Sequence, residues 1–337
     1  MHNHWADHVI HCVNAVLAFS VNGLLLYILQ DDKKLKLGHY RYLIMLFAFF
    51  NLVNSCGDTL IPVRVHDHRY AFSVFIVDGL LEKRSVFGTI MLSFRCSLIA
   101  ATYGILHSHF VYRYLALFRN KILTIYFVPY GILLTIANCL LPMAIWTFAC
   151  YSFLGADDER RLYMKDEIAK NYHGNVFEIN ILVAQYSEAS DENILKSWIG
   201  IGTKTTASVA SFTTDIVLGV LIVQKLKNAG MIMSERTLHV QKQLMKALTV
   251  QVTVPLMASL TPCLYAWYKP MFNISAGQWI DAIDVIAISF FPVLDPLALF
   301  YFVPVFNSRI RQMFRVRKTE NESSVARSTI RTVESTV

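Results

Sequence analysis

Charged residues are scarce in this chain, and their scarcity narrows the class of protein. Asp, Glu, Lys and Arg make up 16% of its 337 residues, whereas about a quarter is usual in a soluble domain. They are missing altogether from several long runs, such as residues 122–156. About 20 apolar residues span the hydrocarbon core of a bilayer. The composition therefore excludes an ordinary soluble domain and predicts a membrane protein.

Five uncharged runs, and two runs that each carry one acid (Asp215 or Asp295), predict seven transmembrane helices. We expect an all-α membrane protein: a seven-transmembrane helix bundle over residues 1–304, followed by a cytoplasmic amphipathic helix 8 and a disordered cytoplasmic tail over residues 305–337. The seven predicted spans cover approximately residues 8–29, 40–62, 85–112, 124–150, 198–223, 244–268 and 278–303.

Lys and Arg are absent before the first span, whereas Lys33, Lys34 and Lys36 follow it directly. Because Lys and Arg accumulate in cytoplasmic loops, we expect the N-terminus outside, the tail inside and an uncleaved first span. The net charge of +7 follows the same division. It therefore predicts contact with the lipid bilayer and no nucleic acid partner.

Other absences remove whole classes of function. The long loop over residues 151–197 has no cysteine, so an outer disulfide framework is not expected. The seventh span has no lysine that could carry a Schiff base, which excludes an opsin. The spans hold no clustered metal ligands and no nucleophile motif, so we predict no enzyme activity, no cofactor and no metal site. A ligand-gated ion channel or transporter with seven spans stays open as the alternative.

Two features belong to the predicted outer face. Residues 151–197 hold more acids than bases, and we interpret them as a solvated cap, with a cation-binding surface as the alternative. The sequence Asn273-Ile274-Ser275 is an N-glycosylation motif, but it lies close to the membrane. Asn273 is therefore a weak candidate for glycosylation.

Four short stretches of sequence are more specific for a particular protein family than the hydropathy pattern is. GHYRYLIMLF enters span two, HFVYRY ends span three, LHVQKQLMKALTVQ enters span six and FPVLDPLALFYF forms span seven. With the seven spans, the chain resembles nematode serpentine seven-transmembrane chemoreceptors of the Str superfamily, the group that includes olfactory receptors. The resemblance implies a G-protein-coupled receptor at the plasma membrane, in the cilium of sensory neurons. It implies an odorant or water-soluble chemical as ligand and a heterotrimeric G protein as partner, with arrestin and kinases as partners of the tail.

The pattern departs from that of the large rhodopsin-like class. That class has an acid before the inner arginine of span three, whereas Tyr112 precedes Arg113 here. We expect Arg113 to face the cytoplasmic mouth of the bundle, held by something other than a neighbouring carboxylate. The alternative is an arginine that extends to the lipid headgroups. The candidate residues for coupling and switching are His109, Tyr112, Arg113, Tyr114, Lys242, Lys246, Asp295 and Pro296.

Arg95 lies in the outer part of span three. An intramembrane charge should face a partner or a cavity, and the candidate partners are Asp58, Asp281 and Asp284. Arg95 is either half of a structural ion pair or part of a pocket wall. Lys204 raises the same question in span five, and nearby aromatic residues either line a pocket or pack the core. The candidate ligand-binding residues are Asp58, Phe94, Arg95, Tyr103, Lys204, Tyr265, Trp267, Asp281 and Asp284.

Overall fold

The computed structural model describes residues 4–30, 37–76, 78–117, 126–228, 235–274 and 278–313, with the backbone alone at 4–8, 236–237 and 278–284. Within these residues, seven helices are long and apolar enough to cross a membrane, which confirms the predicted bundle. Helices α1 to α4 form spans one to four: His4–Gln30, Tyr40–Leu60, Val86–Leu117 and Ile132–Leu154, the last preceded by a π-helical turn, Phe127–Gly131.

Spans five to seven follow a short helix, α5, over Asp158–Tyr172. Span five is α6, Asp191–Asn228, and span seven is α8, Gln278–Phe302. Span six is α7, which runs over Glu235–Pro255, a π-helical turn Leu256–Leu260 and a final α-helical part Thr261–Tyr268. A 3₁₀ turn over Lys269–Phe272 and a last helix, α9, over residues 304–313 complete the described helices.

A three-stranded antiparallel sheet, which the sequence reading did not include, lies at one end of the bundle. Strands β1 (Val63–His68) and β2 (Ala71–Ile76) form a hairpin, and β3 (Ile181–Gln185) pairs with β2. All six residues of β2 are buried. A strand buried on both faces reads as an apolar run without alternation, so its sequence could not be told from a helix end.

The predicted solvated cap is a folded layer with buried charges. Helix α5 is capped by Asp157, whose carboxylate accepts a hydrogen bond from Arg160 N at 3.0 Å. Arg160 Nη2 donates to Asn193 O at 2.8 Å, and Arg161 Nη1 donates to Ile179 O at 3.0 Å. Burial lowers the pKa of Arg161 to about 10, so it stays charged at neutral pH. Through these hydrogen bonds to backbone carbonyls, the two arginines connect α5 with α6 and with the segment that precedes β3.

Small and polar residues bring α3 and α4 into close contact. A Cβ at Gly104 would collide with the backbone carbonyl of Asn138. The amide Nδ2 of Asn138 donates to Gly104 O at 2.7 Å and to Ser108 Oγ at 3.0 Å. Small residues at helix interfaces let backbones approach in membranes, and interhelical hydrogen bonds add to the packing. This contact fixes the position of α3, the helix that carries both candidate arginines.

Prolines mark the irregular part of α7. The π-helical turn Leu256–Leu260 lies between Pro255 and Pro262, each of which removes a backbone donor. Pro292 and Pro296 lie inside α8. A π-helical turn is a frequent feature of functional sites, and here it separates the two ends of α7.

The bundle has two distinct ends. The sheet end carries β1 to β3 and α5, and the start of α1 lies on the same side. The Arg113 end carries the end of α3, the starts of α2 and α7, and α9. Phe306 of α9 is buried and packs edge-on against Phe300 of α8, with 6.3 Å between ring centroids. Helix α9 therefore packs against the bundle at the Arg113 end.

Candidate functional site

Arg95 of α3 forms an ion pair with Asp58 of α2. Both side chains are about 95% buried, and Gly57 beside the acid leaves room for Leu98 and Arg95 of α3 to approach. Asp58 is one of the three acids proposed as partners of Arg95, and the structure places it in contact. The side chains of Asp281 and Asp284 lie outside the described residues, and their backbone is in the first turns of α8.

Two tryptophan rings lie beside Lys204 of α6, and together they form what we call the Trp cage. Lys204 Nζ lies 5.2 Å from the ring centroid of Trp146 in α4 and 4.3 Å from that of Trp267 in α7. The two indole rings meet edge-on at 5.6 Å. Lys204 is 3% exposed. The structure thus brings two predicted ligand-binding residues together and adds Trp146, which the sequence reading missed.

The Trp cage is tied to the sheet end. Tyr186, directly after β3, donates its hydroxyl to Trp267 O at 2.6 Å. Tyr103 of α3 packs edge-on against Trp146, and its hydroxyl is 3.0 Å from Ser259 Oγ in the π-helical turn of α7. Four helices and the sheet therefore converge on one aromatic region.

Two of the predicted pocket residues lie elsewhere. Tyr265 is 43% exposed, and the nearby cation is Lys269 Nζ at 5.3 Å from its centroid. Phe94 is partly buried and packs against a different apolar cluster, between α2, α3 and α4. No contact between these two residues and the Trp cage is seen in the described part of the chain, and their role in ligand binding stays a prediction.

Asp215 of α6 has a partner that the sequence reading missed. His107 Nδ1 of α3 lies 2.9 Å from Asp215 Oδ1, and the acid is 1% exposed. An acid in a transmembrane helix is expected to face a polar group inside the bundle. This pair joins α3 and α6 between the Trp cage and the Arg113 end.

Asp295 of α8 lies at the centre of a buried polar network. Its carboxylate accepts hydrogen bonds from Asn51 Nδ2 at 2.9 Å and from Gln251 Nε2 at 2.7 Å. Asn51 also donates to Asn22 Oδ1 at 3.2 Å, and Asn22 donates to the backbone carbonyl of Pro292 at 2.8 Å. The network links α1, α2, α7 and α8. Pro296, directly after the acid, is buried.

Arg113 is held inside the bundle by neutral partners. Its guanidinium carbon lies 3.7 Å from the ring centroid of Tyr40 in α2, and Nη1 donates to Gln241 Oε1 in α7 at 3.0 Å. The side chain is 5% exposed, so extension to the headgroups is excluded in this conformation. Its Nε and Nη2 are buried without a hydrogen-bond partner in the described part of the chain.

The neighbours of Arg113 complete an aromatic cluster. His109 Nδ1 lies 3.0 Å from the Tyr40 hydroxyl. Tyr112 packs against Tyr40 and Phe127, with 5.3 Å and 4.9 Å between centroids. Tyr114 packs with the apolar cluster between α3, α6 and α7. Lys242 and Lys246 are exposed on the same helix as Gln241.

The residues that sequence reasoning missed share one cause. Tyr40 and Gln241 lie within the stretches GHYRYLIMLF and LHVQKQLMKALTVQ, yet nothing local marks them as partners of an arginine on another helix. Trp146 and His107 are likewise recognisable only once the helices are packed. For His107, its place inside an uncharged run was an available signal, since a polar group there needs a partner.

Seven spanning helices, a buried arginine at the end of the third and a short helix after the seventh define a seven-transmembrane receptor of the G-protein-coupled class. The family model for the serpentine type 7TM GPCR chemoreceptor Srj matches residues 1–310. The chain belongs to this Srj family, which consists of chemoreceptors and not of enzymes.

Relatives support the same assignment over nearly the whole chain. Serpentine receptor class J-38 of Caenorhabditis elegans is 33% identical over 314 residues, covering 92% of this chain and 94% of that protein. Serpentine receptor class r-10 of Caenorhabditis briggsae is 28% identical and covers 94% and 92%. G-protein coupled receptor str-33 of Caenorhabditis elegans is 23% identical and covers 88% and 87%.

Proposed function

We propose that this chemoreceptor binds a small molecule among the helices of the sheet end and activates a heterotrimeric G protein at the Arg113 end. The observation that carries the proposal is that uncharged side chains, those of Tyr40 and Gln241, hold Arg113. A buried arginine with two orphaned donors is poorly satisfied, since unpaired buried polar groups destabilise a structure. The inactive arrangement is therefore easily exchanged for one in which Arg113 finds new acceptors.

The new acceptors are backbone carbonyls of the G protein. Arginine presents five donors in a rigid fork, and Nε and Nη2 of Arg113 are unused. When α7 moves away from α3, Arg113 Nη1 loses Gln241, and the guanidinium can then leave the ring of Tyr40 in α2. Exposed Lys242 and Lys246 then border the opening. A ligand that binds the open state more tightly than the closed one shifts the population towards it.

The experiment is a signalling assay of Arg113→Ala. We expect the variant to reach the cell surface and to lose activation of the G protein, because the donors for the G protein are gone. Arg84→Ala is the matched control, since Arg84 is half-exposed at the sheet end in an ion pair with Asp158. Full activation by Arg113→Ala would refute the coupling role.

The orientation in the membrane is part of this proposal. The sheet end and the N-terminus lie outside, and α9 lies at the inner leaflet with the tail beyond it. Asn273, exposed at the sheet end, is then a candidate for glycosylation. Epitope tags test this directly: in unpermeabilised cells the N-terminal tag should stain and the C-terminal tag should not. The reverse pattern contradicts the orientation.

The wider assignments rest on the family. Similarity to str-33 supports a grouping within the Str superfamily, and membership of a chemoreceptor family supports the cilium of sensory neurons as the location. Kinases and arrestin would act on the Ser- and Thr-rich tail, which lies outside the described residues. Imaging of a tagged receptor in sensory neurons checks the location, and signal confined to the cell body would contradict it.

A further inference from the structure

Two buried lysines at the sheet end differ in whether a carboxylate pairs with their charge. Lys269 Nζ lies 2.6 Å from Asp67 Oδ2, so its charge is paired. Lys204 is equally buried at 3% exposure, but within the described part of the chain its ammonium makes no ion pair and no hydrogen bond. Buried charges in a membrane protein are normally paired. Of these two lysines, Lys204 is the one without a carboxylate partner in the described part of the chain.

The surroundings of Lys204 attract a cation without balancing its charge. Trp146 and Trp267 turn their rings towards Nζ, and an aromatic face attracts a cation through its quadrupole. The titratable neighbours are the thiols of Cys96 and Cys150, which contact each other. A thiol is a weak acceptor. In the described part of the chain, no carboxylate therefore balances the charge of Lys204.

We propose that Lys204 anchors the ligand, and that the ligand is a small molecule with one carboxylate. Its carboxylate would pair with Nζ, and its apolar part would lie against the two indole rings. This inference rests on the proposed function, because it names the class of ligand for that same site. An amine would be repelled by Lys204, and a neutral molecule would leave the charge unpaired. A phosphate would need more donors than one ammonium supplies.

The position of the Trp cage connects such a ligand to the Arg113 end. Trp267 and Gln241 lie on the same helix, α7, on opposite sides of its π-helical turn. A carboxylate at Lys204 displaces the ammonium from the face of Trp267. The ligand therefore acts on the helix whose other end restrains Arg113.

Thermal melting of the purified receptor in detergent tests the ligand class without a G protein. The probes are hexanoate and benzoate, the matched alcohols hexanol and benzyl alcohol, and the matched amines hexylamine and benzylamine. We expect the carboxylates to raise the melting temperature and the alcohols and amines to leave it unchanged. Lys204→Met should abolish that shift, whereas Lys204→Arg should retain part of it because the charge remains.

Two internal controls keep the test decisive. Lys204→Met should melt no lower than the wild-type receptor, since it removes an unpaired buried charge, and this separates loss of binding from misfolding. Lys196→Met, in the exposed part of the same helix, should keep the full carboxylate shift. Lys196 is paired with Glu192 at 2.5 Å and lies outside the Trp cage.

The outcomes separate this inference from the proposed function. Equal shifts with alcohols or amines, a full carboxylate shift in Lys204→Met, or no shift with either carboxylate would each overturn the inference. A receptor that signals to neutral odorants through Arg113 keeps the proposed function while this inference fails. If carboxylates raise the melting temperature of a receptor that never activates a G protein, this inference holds while the proposed function fails.

Discussion

Helix α3 carries two buried arginines whose partners are of opposite kinds. Arg95, at the sheet end, is paired with the carboxylate of Asp58. Arg113, 18 residues later and about 27 Å away along the helix, is held by the ring of Tyr40 and the amide of Gln241. A buried ion pair is strongly destabilised when one partner is lost, whereas neutral contacts can be exchanged at small cost. We therefore expect the first arginine to hold the helices in place and the second to be released on activation.

The largest expected effect comes from breaking the charged pair. Asp58→Ala leaves Arg95 buried and unpaired, which should destabilise the receptor by about 3–5 kcal/mol and reduce its amount at the cell surface. Thermal melting of the purified variant and surface staining measure the loss. Asp58→Ala combined with Arg95→Leu is the matched control, and it should recover most of the stability because no charge is left unpaired. A stable Asp58→Ala single variant would contradict the structural role of the pair.

A smaller effect is expected in the polar network around Asp295. Asp295→Ala leaves the amides of Asn51 and Gln251 without their acceptor, which should cost about 1–3 kcal/mol. Asp295→Asn keeps one acceptor oxygen and should lie between the alanine variant and the wild type. The same melting assay checks this order, and equal stability of all three receptors would show that the network adds nothing.

The neutral site should tolerate truncation best among the bundle variants. Arg113→Ala loses one hydrogen bond and one aromatic contact, together about 1–2 kcal/mol, and it removes two unsatisfied donors. We therefore expect its melting temperature to stay close to that of the wild type, far above that of Asp58→Ala. If both variants melt equally early, the distinction between the two arginines fails.

The smallest effect is expected in the cap. Glu159 accepts hydrogen bonds from Ser190 N at 2.6 Å and Ser190 Oγ at 2.7 Å, and these bonds lower the pKa of Glu159 below its ordinary value of 4.5. The stabilisation is therefore present above pH 4.5 and is lost as the pH falls through the lowered pKa. Glu159→Gln should shift the melting temperature at pH 7 by no more than about 2 °C and weaken its acid dependence. An unchanged acid dependence would argue against this carboxylate.

Sequence reasoning was most successful where the residues of a single helix were enough to make the prediction. Uncharged runs predicted the seven helices, and the absence of an acid beside Arg113 predicted that another kind of group restrains it. Burial of a charge predicted that Arg95 needs an acid, but three acids were equally suitable. The choice of Asp58 depends on how α2 and α3 pack at Gly57.

The remainder depended on contacts between distant segments. Lys204 is separated from Trp146 and Trp267 by about 60 residues on either side, so the Trp cage has no local signature. Gln241 lies 128 residues from Arg113. The hairpin of β1 and β2 was missed because β2 is buried throughout and its sequence lacks alternation. Such features arise from tertiary packing, which cannot be read from the hydrophobic periodicity of the sequence.

The central claim is that Tyr40 holds Arg113 in the inactive receptor through its ring. Basal G-protein signalling of Tyr40→Leu and Tyr40→Phe, at matched surface expression, tests it most directly. Tyr40→Leu removes the aromatic face under Arg113 and should raise basal signalling several-fold. Tyr40→Phe keeps that face, losing only the hydroxyl contact with His109, and should signal like the wild type. Equal basal signalling from both variants and the wild-type receptor would contradict the account.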